Sequence, residues 1–349
     1  MNFVRKELKE FRESKGLLID VRSPGEYYKG HMPNSINIPL FNNEERAIVG
    51  ISYKQNGKRE AIIKGLEIVE NKLDNLISEF ISAEKIYIKN KKLNSSINRF
   101  KIYCARGGMR SKSIFWLLSK LNYSVMILNG GYKNYRRSVL NKFNESIKII
   151  IIGGKTGTGK TKLLNNLRNK NYQIIDLEFL ANHRGSTFGA LGMKEQPSNE
   201  HFENLIAENL YNFDKNKEIY IEAESANIGR CRVPYELFKQ MKESPRIEII
   251  RSETDRINEL VSTYSIYSKI ELINSIKRIT KRLGHERTKV AIKSVENENW
   301  VDVCKAVLEY YDKCYEYELK EKNNIKILDL SDVNENQIVS LMIKRGLIK

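Results

Sequence analysis

The chain has 349 residues, of which 41% are hydrophobic and 30% are charged, and its formal net charge is +17 at pH 7. Its length favours two domains, no apolar run approaches the roughly 18 residues of a membrane span, and its four scattered cysteines include no CxxC pair. These features argue against a membrane protein, a disulfide framework and a cysteine-based zinc site. We expect a cytoplasmic protein with no metal site built from protein ligands alone.

Short apolar runs alternate with helical patterns along the chain, which predicts an α/β fold with largely parallel sheets. Strands at "GLLIDVR", "KIYCA" and "SVMIL" are expected to form a first domain over residues 1–140. The run "IKIIIIGG" begins a second domain over residues 147–349, which ends in a helical part. Its further predicted strands are "YQIID", "EIYIEAE", "RIEIIR" and "IKILDL".

The first candidate site is the loop "KIYCARGGMRS", in which Cys104 follows a predicted strand and precedes a predicted helix. Gly107 and Gly108 permit positive φ, so that successive backbone N–H groups can point at one centre near the start of that helix. Such a centre stabilises a thiolate or binds an oxyanion. We therefore predict that Cys104 is a nucleophile, with Arg106 and Arg110 as the catalytic cations beside it.

The region upstream of this loop narrows the chemistry. The segment "LLIDVRSPGEYYKGHMPNSINIP" together with the cysteine loop resembles the rhodanese family over about residues 15–137. This resemblance implies a sulfur or selenium atom carried on Cys104, with Asp20 and Arg22 as structural supports. The spacing Cys-x5-Arg is also that of cysteine phosphatases and arsenate reductases, so such an enzyme with a nucleotide-binding P-loop stays as an alternative.

The second candidate site is "GGKTGTGKT", which satisfies the P-loop pattern between an apolar strand and a helix. Glycines let the main chain wrap a diphosphate, Lys160 supplies a mobile positive charge for catalysis, and a threonine hydroxyl can hold Mg²⁺. The predicted diphosphate-binding residues are Gly154, Gly157, Thr158, Gly159, Lys160 and Thr161.

Acidic residues end a later strand, where Glu222 and Glu224 are candidates for holding Mg²⁺ through water or for acting as a base. No ordinary Walker B aspartate is evident, which leaves room for a diphosphate other than ATP. The loop "NHRGSTFG" offers His183, Arg184 and Ser186 as a lid or substrate loop, although a polar surface turn would have the same composition.

The two loops occur together with "NHRGSTFG", "EAESANIG", "NNEERAIVGISYKQNG" and "EYYDKCYEYEL". In this combination the chain resembles the tRNA 2-selenouridine synthase family nearly end to end. The resemblance implies two reactions at the wobble 2-thiouridine of the tRNA anticodon: geranylation with geranyl diphosphate, then replacement of the geranylthio group by selenium from selenophosphate. It implies Cys104 as the selenium-handling residue, the P-loop as the site for the geranyl donor, and no covalently bound cofactor. A selenophosphate-supplying enzyme is a further expected partner.

A basic segment, "INSIKRITKRLGHERTKVAIK" at residues 273–293, is predicted to be one helix. Its apolar residues follow one side, and its cations recur four apart on another. A solvated helix face has the same pattern, but the net charge favours contact with tRNA phosphates and 2′-hydroxyls. The predicted tRNA-binding residues are Lys277, Arg278, Lys281, Arg282 and Arg287.

Overall fold

The computed structural model describes residues 4–92, 99–319, 324–331 and 333–348. The chain divides into two compact units, Met1–Lys142 and Phe143–Lys349. Each unit is built on a parallel sheet with helices, which confirms the predicted α/β class. Among the helices in these ranges, none combines the length and the apolar composition that a membrane crossing requires.

The first unit alternates strands and helices. In chain order these are β1 (Arg5–Lys6), α1 (Leu8–Glu13), β2 (Leu17–Asp20), α2 (Pro24–Lys29), β3 (Ile36–Asn37), α3 (Asn43–Gln55), α4 (Gly57–Glu70), α5 (Leu73–Lys91), β4 (Arg99–Tyr103), α6 (Met109–Lys120), β5 (Ser124–Leu128) and α7 (Gly131–Lys142).

The five strands of the first unit form one parallel sheet in the order β1-β5-β4-β2-β3. Strands β2 and β4 lie inside this sheet, and their aliphatic and aromatic side chains are buried because helices cover both faces of a parallel sheet. Asp20 pairs in register with Tyr103, so the loops that follow β2 and β4 leave the same edge of the sheet.

The second unit continues this alternation and ends in a run of helices. In chain order these are β6 (Ile149–Gly154), α8 (Lys160–Asn169), β7 (Gln173–Ile175), α9 (Leu177–Ala181), α10 (Asn199–Asn212), β8 (Ile219–Glu222), β9 (Asn227–Ile228), β10 (Cys231–Arg232), α11 (Tyr235–Glu243), β11 (Arg246–Ile250), α12 (Glu253–Tyr264), α13 (Lys269–Arg278), α14 (Thr280–Leu283), α15 (His285–Glu296), α16 (Trp300–Leu319), β12 (Ile325–Asp329), a 3-10 turn (Glu335–Gln337) and α17 (Ile338–Lys344).

The main sheet of the second unit is also parallel, in the order β12-β11-β6-β8-β7. Strand β6, an all-isoleucine run ending in two glycines, is fully buried at its centre. The chain continues from β6 to β7 and β8 on one side of β6, and then to β11 and β12 on the other side. In open α/β sheets, ligands bind outside the carboxyl ends of the strands at the point where the strand order reverses in this way. The P-loop follows β6 at this position.

The basic segment 273–293 is not one helix, so that prediction is wrong. Helix α13 ends before Ile279, and Gly284 separates α14 from α15 with a backbone φ of +91°. The apolar side of the segment was predicted correctly, because Ile276, Ile279 and Leu283 are buried in a shared core with α16. Burial of these side chains stabilises the segment more than a continuous helix would, because each short helix can turn its own apolar residues towards the core.

Candidate functional site

Cys104 lies one residue beyond β4, at the carboxyl edge of the first sheet. Its side chain is 3% exposed, and its Sγ accepts a hydrogen bond from the Gly108 backbone N–H at 3.2 Å. The hydroxyl Oγ of Ser111 lies 3.3 Å from the same sulfur. Both groups belong to the start of the 12-residue helix α6, whose positive end therefore faces the thiol.

The two glycines of this loop differ in conformation. Gly107 has φ +64°, whereas Gly108 has φ −94° and does not use the left-handed region that was expected for it. A Cβ atom on Gly107 would lie 2.8 Å from the Leu128 carbonyl oxygen, and one on Gly131 would lie 2.3 Å from the Cys104 carbonyl oxygen. The loop therefore packs backbone to backbone against the turn that follows β5.

The two arginines of the loop have different surroundings. Arg106 is exposed, whereas Arg110 donates to both carboxylate oxygens of Glu26, at 2.6 and 3.2 Å. Burial alone would raise the pKa of Glu26, but hydrogen bonds and charge from Arg110, with help from Arg46, lower that pKa to about 2. The Arg110 guanidinium is thus held by Glu26.

Asp20 and Arg22 form a second buried ion pair beneath the loop. The Arg22 guanidinium lies 2.6 Å from an Asp20 oxygen, donates to the Gly30 carbonyl and covers the Tyr132 ring at 3.7 Å. The Tyr132 backbone N–H in turn donates to the Cys104 carbonyl at 2.9 Å. This chain of contacts supports the expectation that Asp20 and Arg22 hold the loop in place.

A cavity of about 840 Å³ adjoins the thiol within the first unit, and we call it the α3–α4 cavity. One wall is the cysteine loop and the start of α6, and the other consists of α3, α4 and the segment before them. The three loop residues predicted to be catalytic all line this cavity: Cys104, Arg106 and Arg110.

The P-loop of the second unit has the conformation that its glycines predict. Gly154, Gly157 and Gly159 all have positive φ. A Cβ on Gly157 would lie 2.7 Å from the Arg256 carbonyl oxygen, so the loop also needs glycine for close packing. The Lys160 ammonium donates to the Gly154 carbonyl at 2.8 Å and therefore lies across the loop.

Two residues that sequence reasoning missed brace the P-loop from later helices. Arg256 on α12 donates to the Thr156 carbonyl at 2.8 Å and to both oxygens of Asp312 on α16. The Tyr315 hydroxyl accepts from the Gly154 backbone N–H and donates to Glu248 at 2.6 Å. The segment "EYYDKCYEYEL" contains Asp312 and Tyr315, but its spacing gave no sign of this role.

Three glutamates meet beside the P-loop, with carboxylate oxygens within 4.8 Å of one another. Glu222 and Glu224 were predicted from the sequence as candidate site residues, whereas Glu178, in α9, was missed. Glu222 is fully buried; one of its oxygens accepts from the Glu178 backbone N–H at 2.8 Å, and the other has no hydrogen-bond partner among the described residues.

Burial, reinforced by mutual repulsion, disfavours the ionised form of these glutamates. Burial, then the charge of Glu224, raises the pKa of Glu178 to about 8, although Lys160 opposes the shift. Burial and the nearby carboxylates Glu178 and Asp176 also raise the pKa of Glu222 well above its usual range. Three carboxylates so placed are best satisfied by a shared proton or by a cation.

The predicted lid loop, residues 182–189, lies over these glutamates. A Cβ on Gly185 would come within 3.0 Å of carboxylate oxygens of both Glu178 and Glu224, so the loop backbone rests on them. Arg184 donates to the Leu191 carbonyl at 2.9 Å. The His183 ring instead packs under Gly189, and burial lowers its pKa.

A pocket of about 360 Å³ brings the P-loop, the glutamates and this loop together. His183 and the buried Glu222 are not among the residues that line it. Of the residues predicted from sequence, the pocket is lined by Gly154, Gly157, Gly159, Lys160, Thr161, Arg184, Ser186 and Glu224, and the buried Thr158 shapes the loop behind it.

The five basic residues predicted to bind tRNA are all exposed on α13 to α15. Because the segment is broken, they do not form one stripe along a single helix. Arg287 pairs with Glu309 at 2.7 Å, which partly neutralises its charge. The other four lie around the junction of α13 and α14: Lys277, Arg278, Lys281 and Arg282.

Comparison with known proteins agrees with this arrangement. Residues 147–342 match the family described as tRNA 2-selenouridine synthase AAA domain, and residues 4–138 match the rhodanese-like domain family. The chain is 34% identical over 351 residues to the tRNA 2-selenouridine synthase of Sulfurovum sp. strain NBC37-1, a match that covers 91% of this chain and 92% of the relative.

Two further relatives carry the same name. The Marinobacter nauticus protein is 34% identical over 343 residues, which covers 87% of this chain and 89% of the relative. The Nitrosomonas eutropha protein is 34% identical over 277 residues, a match that covers 76% of this chain and 68% of the relative. The resemblance inferred from the motifs is thus confirmed: the chain belongs to the tRNA 2-selenouridine synthase family, with a rhodanese-like domain followed by an AAA/P-loop domain.

Proposed function

We propose that this chain replaces sulfur by selenium at the wobble 2-thiouridine of tRNA in two steps. In the first step, the base sulfur attacks the first carbon of geranyl diphosphate, and diphosphate leaves with the bonding electrons. In the second step, selenium from selenophosphate displaces the geranylthio group from the base carbon, and water takes up the phosphoryl group. The observation that carries this proposal is the match of the chain, through both of its domains, to tRNA 2-selenouridine synthases over nearly the whole length.

The geranylation step is assigned to the P-loop pocket. Backbone N–H groups between Gly154 and Thr161 are suited to hold the diphosphate, and Lys160 neutralises its developing charge once it leaves the Gly154 carbonyl. Such a leaving group needs no γ-phosphoryl chemistry, which accounts for the lack of an evident Walker B aspartate. Arg184 and Ser186 line the same pocket and are proposed to contact the substrate there.

The glutamate cluster suits a magnesium ion. The unpartnered Glu222 oxygen and the raised pKa of Glu178 both indicate carboxylates that lack a compensating positive charge. Glu178, Glu222 and Glu224, with the Thr161 hydroxyl, would hold the ion, which when bound supplies charge that stabilises diphosphate. The proton that the base loses from N3 on S-alkylation is released to water.

The selenium step is assigned to Cys104. Its sulfur faces the N–H of Gly108 and the positive end of α6, both of which stabilise negative charge on a chalcogen. Arg106 is exposed at the adjoining cavity and provides positive potential for selenophosphate and for tRNA phosphates, whereas Arg110, which pairs with Glu26, is proposed to hold the start of α6 in place. The exposed cations of α13 to α15 extend the proposed tRNA surface, and an enzyme that supplies selenophosphate is the expected partner.

The phosphatase alternative receives no support from the loop. A cysteine phosphatase needs an arginine whose guanidinium binds the substrate phosphate in a bidentate manner. Arg110, at the required spacing, instead donates to both oxygens of Glu26.

The test uses the full chain and a tRNA that carries 2-thiouridine, with nucleosides analysed by mass spectrometry. Cys104→Ser should still form the geranylated base but no selenouridine, because it keeps the P-loop pocket. Lys160→Ala should fail at geranylation yet convert a tRNA that is supplied already geranylated.

Two results would contradict the assignment. Normal selenouridine formation by Cys104→Ser would remove the thiol from the reaction. Undiminished geranylation by Lys160→Ala would remove the P-loop. Arg168→Ala is a matched control, because Arg168 is an exposed cation on the same helix that does not line the P-loop pocket.

A further inference from the structure

The α3–α4 cavity is lined by the Cys104 thiol on one side and by apolar side chains on the other. Cys104 lies at the floor, and two consecutive helices form the wall opposite. The cavity volume of about 840 Å³ is within the range of small-molecule binding sites. The aliphatic side chains that line it come from both helices and from the segment before them: Leu40, Val49, Ile51, Ile62, Leu66 and Val69.

These two helices leave apolar surface uncovered. Helix α3 has no buried residue, and α4 buries only Ala61 and Gly65. Ile51 is 54% exposed and Leu66 is 64% exposed, although both face the cavity. An amphipathic helix normally buries its apolar stripe against the core, so an uncovered stripe beside a functional group indicates a site for an apolar ligand.

Charged side chains also line the cavity, separately from the aliphatic side chains named above. The cations Lys54 and Arg106 are exposed, whereas Arg46 and Arg110 both pair with Glu26, which also lines the cavity. A ligand that complements this arrangement has a hydrocarbon chain next to the thiol and anionic groups next to the cations. An S-geranylated nucleotide within tRNA has this composition.

We propose that the α3–α4 cavity binds the geranyl chain of the S-geranylated wobble base during the selenium step. This inference rests on the proposed function and adds the position of the chain to it. With the chain against α3 and α4, the thioether sulfur is placed beside Cys104, and the departing geranylthiol remains in an apolar site. The chain itself undergoes no bond change in this step.

The test supplies an anticodon stem-loop RNA that already carries the alkylated base, together with selenophosphate, to the full-length enzyme. Two RNAs are compared, one with an S-geranyl and one with an S-methyl group. For the wild type, kcat/KM should be at least about tenfold higher for the S-geranyl RNA, because only the longer chain reaches the apolar wall. Leu66→Ser should lower this ratio about tenfold.

Ile63→Ser is the matched control, since Ile63 is on α4 and 42% exposed but does not line the cavity. It should leave the S-geranyl to S-methyl ratio unchanged. Equal kcat/KM for the two RNAs, or a ratio that Leu66→Ser does not alter, would overturn the inference and leave the proposed function standing. Failure of the wild type to convert either RNA would instead overturn the proposed function, and this inference with it.

Discussion

Gly107 and Gly108 are adjacent in the cysteine loop, but their backbones impose different demands on a side chain. Gly107 has φ +64°, and a Cβ there would lie 2.8 Å from a backbone oxygen, whereas nothing lies within 4 Å of a Cβ on Gly108. We expect Gly107→Ala to lower the free energy of unfolding by more than about 2 kcal/mol and to abolish the selenium step. Chemical denaturation and the selenouridine assay measure the two effects.

Gly108→Ala is the control, because it keeps the N–H that donates to Cys104. It should retain most of the stability and activity. If both alanine variants behaved alike, the loop would not have the backbone conformation described above.

Glu26 connects the cysteine loop to α2 through Arg110. Its pKa of about 2 lies below the ordinary 4.5, so the stabilisation is complete above about pH 4.5 and is lost as the pH falls towards 2. We expect Glu26→Gln to destabilise the first unit by about 1–3 kcal/mol at pH 7, with a difference from wild type that shrinks between pH 4.5 and 2.

The chain has two tryptophans, and Trp116 lies in the first unit. In a Trp300→Phe background, urea unfolding followed by Trp116 fluorescence therefore reports on this unit. The exposed Glu70→Gln is the control and should change little. A Glu26→Gln effect that persisted undiminished at pH 2 would show that the ion pair is not its cause.

The cations of residues 277–287 are distributed over three short helices, α13 to α15. Substitution of Lys277 and Lys281 by Gln should reduce the slope of log affinity against log salt by about one for each phosphate contact removed. Fluorescence anisotropy with labelled tRNA at several salt concentrations measures this slope.

Lys85 and Lys89 give a matched control, since they are exposed and four residues apart on α5. The Lys85→Gln and Lys89→Gln double variant should leave the salt slope unchanged. Equal losses in the two double variants would mean that net charge alone, without a localised surface, attracts the tRNA.

The same segment shows what periodicity can and cannot predict. Ile276, Ile279 and Leu283 were recognised as an apolar face, because burial requires apolar residues whatever the exact helix bounds. The breaks at Ile279 and Gly284 were missed, since they depend on how the short helices pack together in the core that they share with α16. Charge spacing on the sequence therefore predicted exposed cations but not their arrangement.

At the scale of the whole molecule, the two proposed steps are assigned to different units of the chain. Variants Cys104→Ser and Lys160→Ala each retain one of the two functional loops. If the geranylated tRNA can leave one enzyme molecule and enter another, an equimolar mixture should restore selenouridine formation. The measurement is nucleoside mass spectrometry of tRNA incubated with the mixture and with each variant alone.

The half-reactions provide the control for this mixture. Cys104→Ser must geranylate tRNA, and Lys160→Ala must convert tRNA supplied with the geranyl group. No selenouridine from the mixture, with both half-reactions intact, would contradict free exchange of the intermediate between enzyme molecules.

The family, the parallel α/β class and the two loops can be predicted from the amino-acid sequence, because glycine spacing, a following helix and an apolar strand are all local along the chain. Four features appear only once the chain is folded: Glu178 beside Glu224, Arg110 on Glu26, the bracing of the P-loop by Arg256 and Tyr315, and the apolar cavity at Cys104. These contacts join residues that are far apart in sequence. Their geometry depends on how helices pack on a sheet, which no local pattern encodes.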